Sequence, residues 1–325
     1  MRTLLLLGLA LCAGCNDDTG APGARWIDDI EAPLPADLSD TGMFSRLDPL
    51  APGTGVLPYR PPHPLWSNGT DKDRLLYLPP GTTVDTRDPE LWRFPVGTVI
   101  AKTFAYEDIE GRDGEVAVET RLLFQRADGW HYAQYHWSRE GTEARLREAN
   151  WPEQALELRY AGDLRFPYTL PGELDCKGCH EARTGAPVLG ISRRNLPPTL
   201  RPVLSSPVQP LPVVGRTPEE TAAMGYLLGN CTHCHHGATG NENATYSLLP
   251  VDLVANTVEQ PTDSSASGDG TRVVPGDADG SALFEAVVHT RDAGYRGDFK
   301  PMPPVGINQV DPEAARVLRA WIESL

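Results

Sequence analysis

Residues 217–235 read TPEETAAMGYLLGNCTHCH. Thr217-Pro218-Glu219-Glu220 is a helix start: an N-cap residue, a proline at the first helical position, and a glutamate placed to close a capping box. Met224, Leu227, Leu228 and Cys231 follow at i, i+3, i+4 and i+7, one apolar stripe that runs into Cys231-Thr232-His233-Cys234-His235. At the other end of the chain Asp311-Pro312 starts a second helix. Ala314, Val317, Leu318, Trp321, Ile322 and Leu325 keep helical spacing along it. Two such helices predict a compact helical domain over 217–325 in which they cross.

A second pentapeptide, Cys176-Lys177-Gly178-Cys179-His180, repeats the C-x-x-C-H pattern. The chain has six cysteines. Cys12 and Cys15 lie in an N-terminal apolar segment, so every remaining cysteine belongs to one of the two pentapeptides. An even count outside the cytoplasm would ordinarily point to disulfides. A histidine directly after the second cysteine in both copies points instead to covalent attachment of c-type haem. On a helical turn residues i and i+3 share a face, so two thiols reach the two vinyl groups of one haem. The histidine at i+4 is on that face too, and its imidazole can take one axial position on iron. A thioredoxin-like pair needs no such histidine and would follow a strand in a βαβ pattern that is absent here. A compact zinc module rarely spans the 51 residues that separate Cys179 from Cys231. The expected cofactors are therefore two covalent haems, and 217–325 reads as a cytochrome c-like domain.

Such a domain takes a sixth iron ligand from a loop before its last helix. Lys300-Pro301-Met302-Pro303-Pro304 lies there, and its prolines hold the chain extended. Met302 is the candidate: a soft thioether favours ferrous iron. Met224 reads as core. His233, His236 and His289 are open candidates for the other haem, each with a plainer reading as a solvated or propionate-facing histidine. Asp277-Ala278-Asp279-Gly280 lacks the glycine and distal glutamate of a calcium loop, and reads as a capping turn before Leu283.

Working outward, 166–216 is rich in proline and carries the first haem motif. It should be extended and irregular. Residues 38–165 read as β-rich. Glu115 to Phe124 is full of strand formers, Ala127-Asp128-Gly129 is a turn, and Trp130 to Trp137 is an aromatic strand, together a hairpin. Val99–Phe104 and Leu156–Tyr160 are further strands. His63, His131 and His136 read as strand or loop histidines, and no nucleophile motif or phosphate loop is present. The fold class is α+β.

With 44 Asp+Glu against 29 Lys+Arg the net charge is −15. That argues against a nucleic-acid binder and against docking on anionic lipid through a basic patch. With 31 Gly and 31 Pro the chain is no simple helical bundle. Arg2 and the run Leu4 to Leu11, too short to span a bilayer, lead to Cys12-Ala13-Gly14-Cys15. This resembles a lipobox: residues 1–14 are the signal peptide, Cys15 is the lipid attachment site, and 15–37 is a linker. The mature chain is then held outside the cytoplasm by lipid alone. Asn16, where an aspartate would retain it at the inner membrane, favours the outer one.

The chain resembles a bacterial family of envelope dihaem c-type cytochromes over nearly the whole mature length. The likeness rests on residues 38–42, 94–98 and 119–123 in the β-rich half. In the haem half it rests on Cys176 to His180, Asn230 to His235, Val274-Pro275-Gly276 and Met302-Pro303-Pro304. It implies two haems with His180 and His235 as proximal ligands, and supplies no substrate. The expected function is single-electron transfer between envelope partner proteins, a carrier with no catalytic residues assigned. The alternative is a dihaem oxidoreductase, a peroxidase or small-molecule dehydrogenase with one open haem face. In a third reading the β-rich half docks a partner protein.

Overall fold

A computed structural model describes residues 24–109, 111–159, 165–181, 187–237, 246–262, 270–289, 301–303 and 308–325. The segment with Cys12 and Cys15, together with Tyr160, Lys300 and Pro304, lies outside the described residues. The architecture combines three antiparallel sheets with a helical C-terminal part, as the α+β reading expects.

Ten strands are described: β1 Phe44–Leu47, β2 Leu50–Pro52, β3 Val56–Pro58, β4 Asp71–Tyr77, β5 Val99–Glu107, β6 Glu115–Arg126, β7 Gly129–Trp137, β8 Ala144–Leu146, β9 Gln154–Arg159 and β10 Arg165–Leu170. Strands β3 to β8 form one six-stranded sheet in sequence order, an antiparallel meander. β1 pairs with β2, and β9 with β10. The predicted hairpin is β6–β7, with Arg126 opposite Gly129 across Ala127-Asp128.

Alternation along the strands sends successive side chains to opposite faces. One face of the meander is closed by a core of Leu75, Tyr77, Val99, Leu122, Phe124 and Tyr135 against Leu38 and Met43. Trp26, Ile27 and Ile30 complete that core. Their burial corrects the linker reading of 15–37: three large apolar side chains in five residues pack on the sheet rather than tether it. The other face carries Leu76, Ile100 and Leu123, covered by Trp92, Phe94, Ile191, Leu196 and Leu200.

The stretch 166–216 is more ordered than its prolines suggest. It holds most of β10, the helix α1 Glu173–His180, and a 3-10 turn at Pro198–Val203. Proline is tolerated in β10 because that strand belongs to a two-stranded sheet, where one edge needs no donor.

The C-terminal helices are α2 Pro218–Asn230, α3 Leu253–Thr257, α4 Ala282–Val288 and α5 Pro312–Glu323. Thr217 caps α2 by accepting from the Glu220 amide at 3.1 Å, and the Glu220 carboxylate accepts from the Arg216 amide at 3.1 Å. The Asp311 carboxylate caps α5. Ala223, Met224 and Leu227 pack on Ala314, Val317, Leu318, Trp321 and Ile322, so α2 and α5 meet along the predicted stripes. Leu325 departs from that expectation: it follows the end of α5 and is exposed. The predicted capping turn is present, with Gly280 N–H donating to Asp277 at 2.9 Å ahead of α4. No helix among the described residues is long and apolar enough to cross a membrane.

The β-rich part and the helices are joined by a seam. The Trp66 amide donates to Asn230 Oδ1 at 2.8 Å, and Asn230 Nδ2 donates to the Tyr226 carbonyl at 2.9 Å. The Asn308 amide donates to Asn68 Oδ1 at 2.8 Å. Asn195 holds both the amide and the carbonyl of His63 at 2.8 Å. Gly229 lets the seam close, since a Cβ there would lie 2.7 Å from the His63 carbonyl oxygen.

Candidate functional site

The first pentapeptide occupies α1, where Asp175 accepts from the Gly172 amide at 2.8 Å and Lys177 pairs with Glu173 at 2.9 Å. Cys176, Cys179 and His180 therefore share a face, as expected. The second pentapeptide differs: α2 ends at Asn230, and Cys231 to Cys234 form a turn beyond it. That turn keeps helical closeness through His235 N–H donating to the Cys231 carbonyl at 2.9 Å. None of the four cysteines forms a disulfide among the described residues, and all four are half-buried. Burial pushes Cys176 and Cys179 up to about 11 and Cys231 up to about 12. They are protonated thiols at neutral pH, unlike the depressed thiolates of redox enzymes.

The two motif histidines behave alike. His180 Nδ1 lies 2.7 Å from the Pro187 carbonyl oxygen, and His235 Nδ1 lies 3.3 Å from the Tyr246 carbonyl oxygen. A carbonyl only accepts, so each Nδ1 carries the proton and each Nε2 keeps its lone pair. Both rings are turned by this bond into the tautomer that ligates metal through Nε2. Burial drives His180 down to about 3, with the Lys102 charge adding to the effect. Its imidazole is neutral, the form that binds a metal.

The motifs lie close together. Cys234 is near enough to Cys179 to disfavour the Cys179 thiolate, and His233 is near enough to His180 to disfavour its charged form. His233 is deeply placed and driven down to about 4 by burial and then by Lys102. Tyr132 on β7 sets its ring 5.7 Å from that of His180. Among the described residues no three His, Cys, Asp or Glu side chains converge as they would around a bare metal ion.

Between sheet, proline-rich segment and α2 lies a cleft of about 140 Å³. His63, Arg74, Lys102, Arg194, Thr232 and His233 are among the side chains that line it. Sequence reading missed the charged wall of this region. Arg74, Lys102 and Arg121 stand opposite one another on β4, β5 and β6, in register. One row along, Lys72 faces Phe104, which faces Glu119. Lys72 Nζ and Lys102 Nζ each lie 5.6 Å from the Phe104 ring centre, and Arg121 Cζ lies 4.1 Å from it. Burial, then repulsion from Arg74 and Arg121, drives Lys102 down to about 7. Burial works against the Arg121 charge too, but Glu119 more than offsets it. Glu119 is fully buried and also accepts from Tyr168 and Gln134. The available signal was phase: Lys102 sits between Ile100 and Phe104 on an inward position of an apolar strand.

The other predicted residues are placed as follows. The Met302 amide donates to the Ala286 carbonyl of α4 at 2.8 Å, which fixes the loop against the helical core, and Met302 is half-buried. Met224 is in that core. His289 pairs with Glu285 at 2.7 Å, and His236 is buried. His131 bonds Asp128 and stacks on Phe124, and His136 is half-buried on β7. His63 lies against α2, where a Cβ on Gly225 would meet its ring at 2.7 Å. Comparison with family models, curated proteins and solved structures gave no match, so the site is read from its own residues.

Proposed function

We propose that this chain is a dihaem c-type cytochrome that passes single electrons between partner proteins in the bacterial cell envelope, anchored by lipid on Cys15. The observation that carries the reading is the shared arrangement of His180 and His235. Each follows a C-x-x-C pair, each gives its Nδ1 proton to a backbone carbonyl, and each keeps Nε2 for a metal. The four cysteines form no disulfide among the described residues, which leaves each C-x-x-C pair available for thioether attachment. Bound haem supplies a one-electron ferric–ferrous couple. The residues that would hold it are Cys176, Cys179 and His180 for one haem, and Cys231, Cys234, His235 and Met302 for the other. The nearness of the two motifs supports electron exchange between them.

One observation favours a second reading. The open cleft beside His233 and Lys102 gives a small molecule access, as a dihaem oxidoreductase would need. The position opposite His180 separates the two. Low-temperature EPR of the oxidised protein should show two six-coordinate low-spin centres for the carrier, and a five-coordinate or water-bound centre for the enzyme.

The primary test is stoichiometry. Chain matured with haem-attachment machinery should carry two haems by intact mass and pyridine haemochromogen. The Cys176→Ala/Cys179→Ala variant should carry one. A matured chain without haem would end the proposal.

A further inference from the structure

The Arg74–Lys102–Arg121 row needs an explanation. Like charges directly opposite one another on neighbouring strands are unfavourable, and burial makes them more so. Arg74 is 7% exposed, and Lys72, one row along, is 8% exposed. Glu119 answers one of these charges, through two contacts to Arg121. Asp71 and Asp73 alternate onto the opposite side of β4 and are exposed, and Glu90, which also lines the cleft, is exposed. Lys72 donates to the Leu65 carbonyl and Arg74 to the Lys72 carbonyl, both neutral acceptors, so Asp71 and Asp73 act on these charges only at a distance and burial outweighs them. Lys102 has no carboxylate partner among the described residues, and it lies within electrostatic range of Cys176, Cys179, His180 and His233. Such a face calls for anionic groups bound in the space between sheet and motifs.

We propose that the Arg74–Lys102–Arg121 row is a carboxylate-binding wall whose ligands are the propionates of the haem attached at Cys176 and Cys179. The inference rests on the dihaem reading and deepens it. It gives the β-rich half a role, since the sheet becomes one wall of the first haem's pocket. Haem propionates are carboxylates on the ring edge opposite the two thioethers, so a haem tethered through α1 would carry them across its own width to a surface beyond the thiols. Glu119, with Tyr168 and Gln134 behind it, holds Arg121 in place as the fixed end of the row. Lys102 is the positioning charge at its centre. The same chemistry would bind a diffusible oxyanion entering the cleft, and the test separates these sources.

The test uses the matured protein with its haem content measured first. A buried cation beside haem favours the electron-rich ferrous state, so removing it lowers the midpoint potential. Lys102→Met removes the charge and keeps the apolar stem. The haem lost in the Cys176→Ala/Cys179→Ala variant should then show at least a tenfold lower ferrous-to-ferric ratio at fixed potential, ~59 mV for one electron. The other haem should move by less than half as much, and Lys102→Arg should restore the parent value. Arg74→Met reads the same row from the neighbouring strand. A chain without haem would remove the dihaem reading and this inference together. Two haems with both midpoints unmoved in Lys102→Met and Arg74→Met would overturn the inference alone. Phosphate and nitrite are the rival ligands: if either shifts the Soret band of the parent, Lys102→Met abolishes that shift and the midpoints stay put, the row serves a free oxyanion and the propionate assignment is wrong.

Discussion

Replacing Gly229 by alanine tests the seam that joins the sheet to α2, and the sign of the effect is the readout. In a helix interior alanine is favoured over glycine by about 0.5–1 kcal/mol. At Gly229 the new Cβ would sit 2.7 Å from the His63 carbonyl oxygen and 3.0 Å from that of Pro64. Both are backbone atoms, so no rotamer change relieves the contact and segment 63–66 has to move off α2. The Trp66 amide, now 2.8 Å from Asn230 Oδ1, then loses its acceptor. An unsatisfied, part-buried amide costs about 1–3 kcal/mol, and loosening the His63 and Pro64 packing adds to it. The net expectation is a loss of about 1–2 kcal/mol, or roughly 2–8 °C in melting temperature. Gly178→Ala in α1 is the control, since a Cβ there meets nothing within 4 Å. It should hold or raise the melting temperature. Circular dichroism melts of the three matured proteins decide the matter: a Gly229→Ala protein as stable as its parent or more so would show that 63–66 does not dock on α2.

Trp321 is fully buried where α5 crosses α2, so Trp321→Ala should lose about 3–5 kcal/mol in urea titrations. On the dihaem reading, Met302→Ala should lower the midpoint of the centre at His235 and let it bind added imidazole, while the centre at His180 barely changes; a redox titration of both checks this. Cys15→Ala should release the protein from the membrane fraction or block its processing, as fractionation and blotting would show. Raising ionic strength should slow reduction by a basic partner in stopped flow, because the chain carries a net charge of −15.

The helical part was legible because its signals are local and agree with one another. Thr217-Pro218 and Asp311-Pro312 start helices where expected, and the stripes on α2 and α5 bury against each other. Leu325 misled because helical spacing alone does not say where a helix stops. The hairpin β6–β7 was legible from strand formers around a turn. β4 was not, because Asp71-Lys72-Asp73-Arg74 looks like a solvated charge run. Its alternation of sign is an alternation of faces, with the acids outward and the bases inward. Strand phase carries that information only once the neighbouring strand is known. Trp26, Ile27 and Ile30 were lost to the linker for a related reason, since a 3-10 turn has no periodicity to recognise.

The site divided along the same line. The pentapeptides announced themselves, but the nearness of the two motifs, the carbonyls that orient His180 and His235, and the cation row belong to pairings far apart in sequence. The charge balance joins these parts. Of the 29 Lys+Arg residues, Lys72, Arg74, Lys102 and Arg121 face inward on three neighbouring strands, a local cationic patch that the net charge of −15 does not reveal. The two fields act at different ranges. Exposed acids are screened within about 8–10 Å at physiological salt, whereas buried charges beside the motifs are screened far less. On the dihaem reading, the inner cations therefore set how readily the first haem takes an electron, and the outer acids set which partner arrives to deliver it. A sequence-wide charge count sees only the second of these. The first depends on three residues 74, 102 and 121 meeting across strands, and that register is what turns an acidic protein into one with a cationic interior wall.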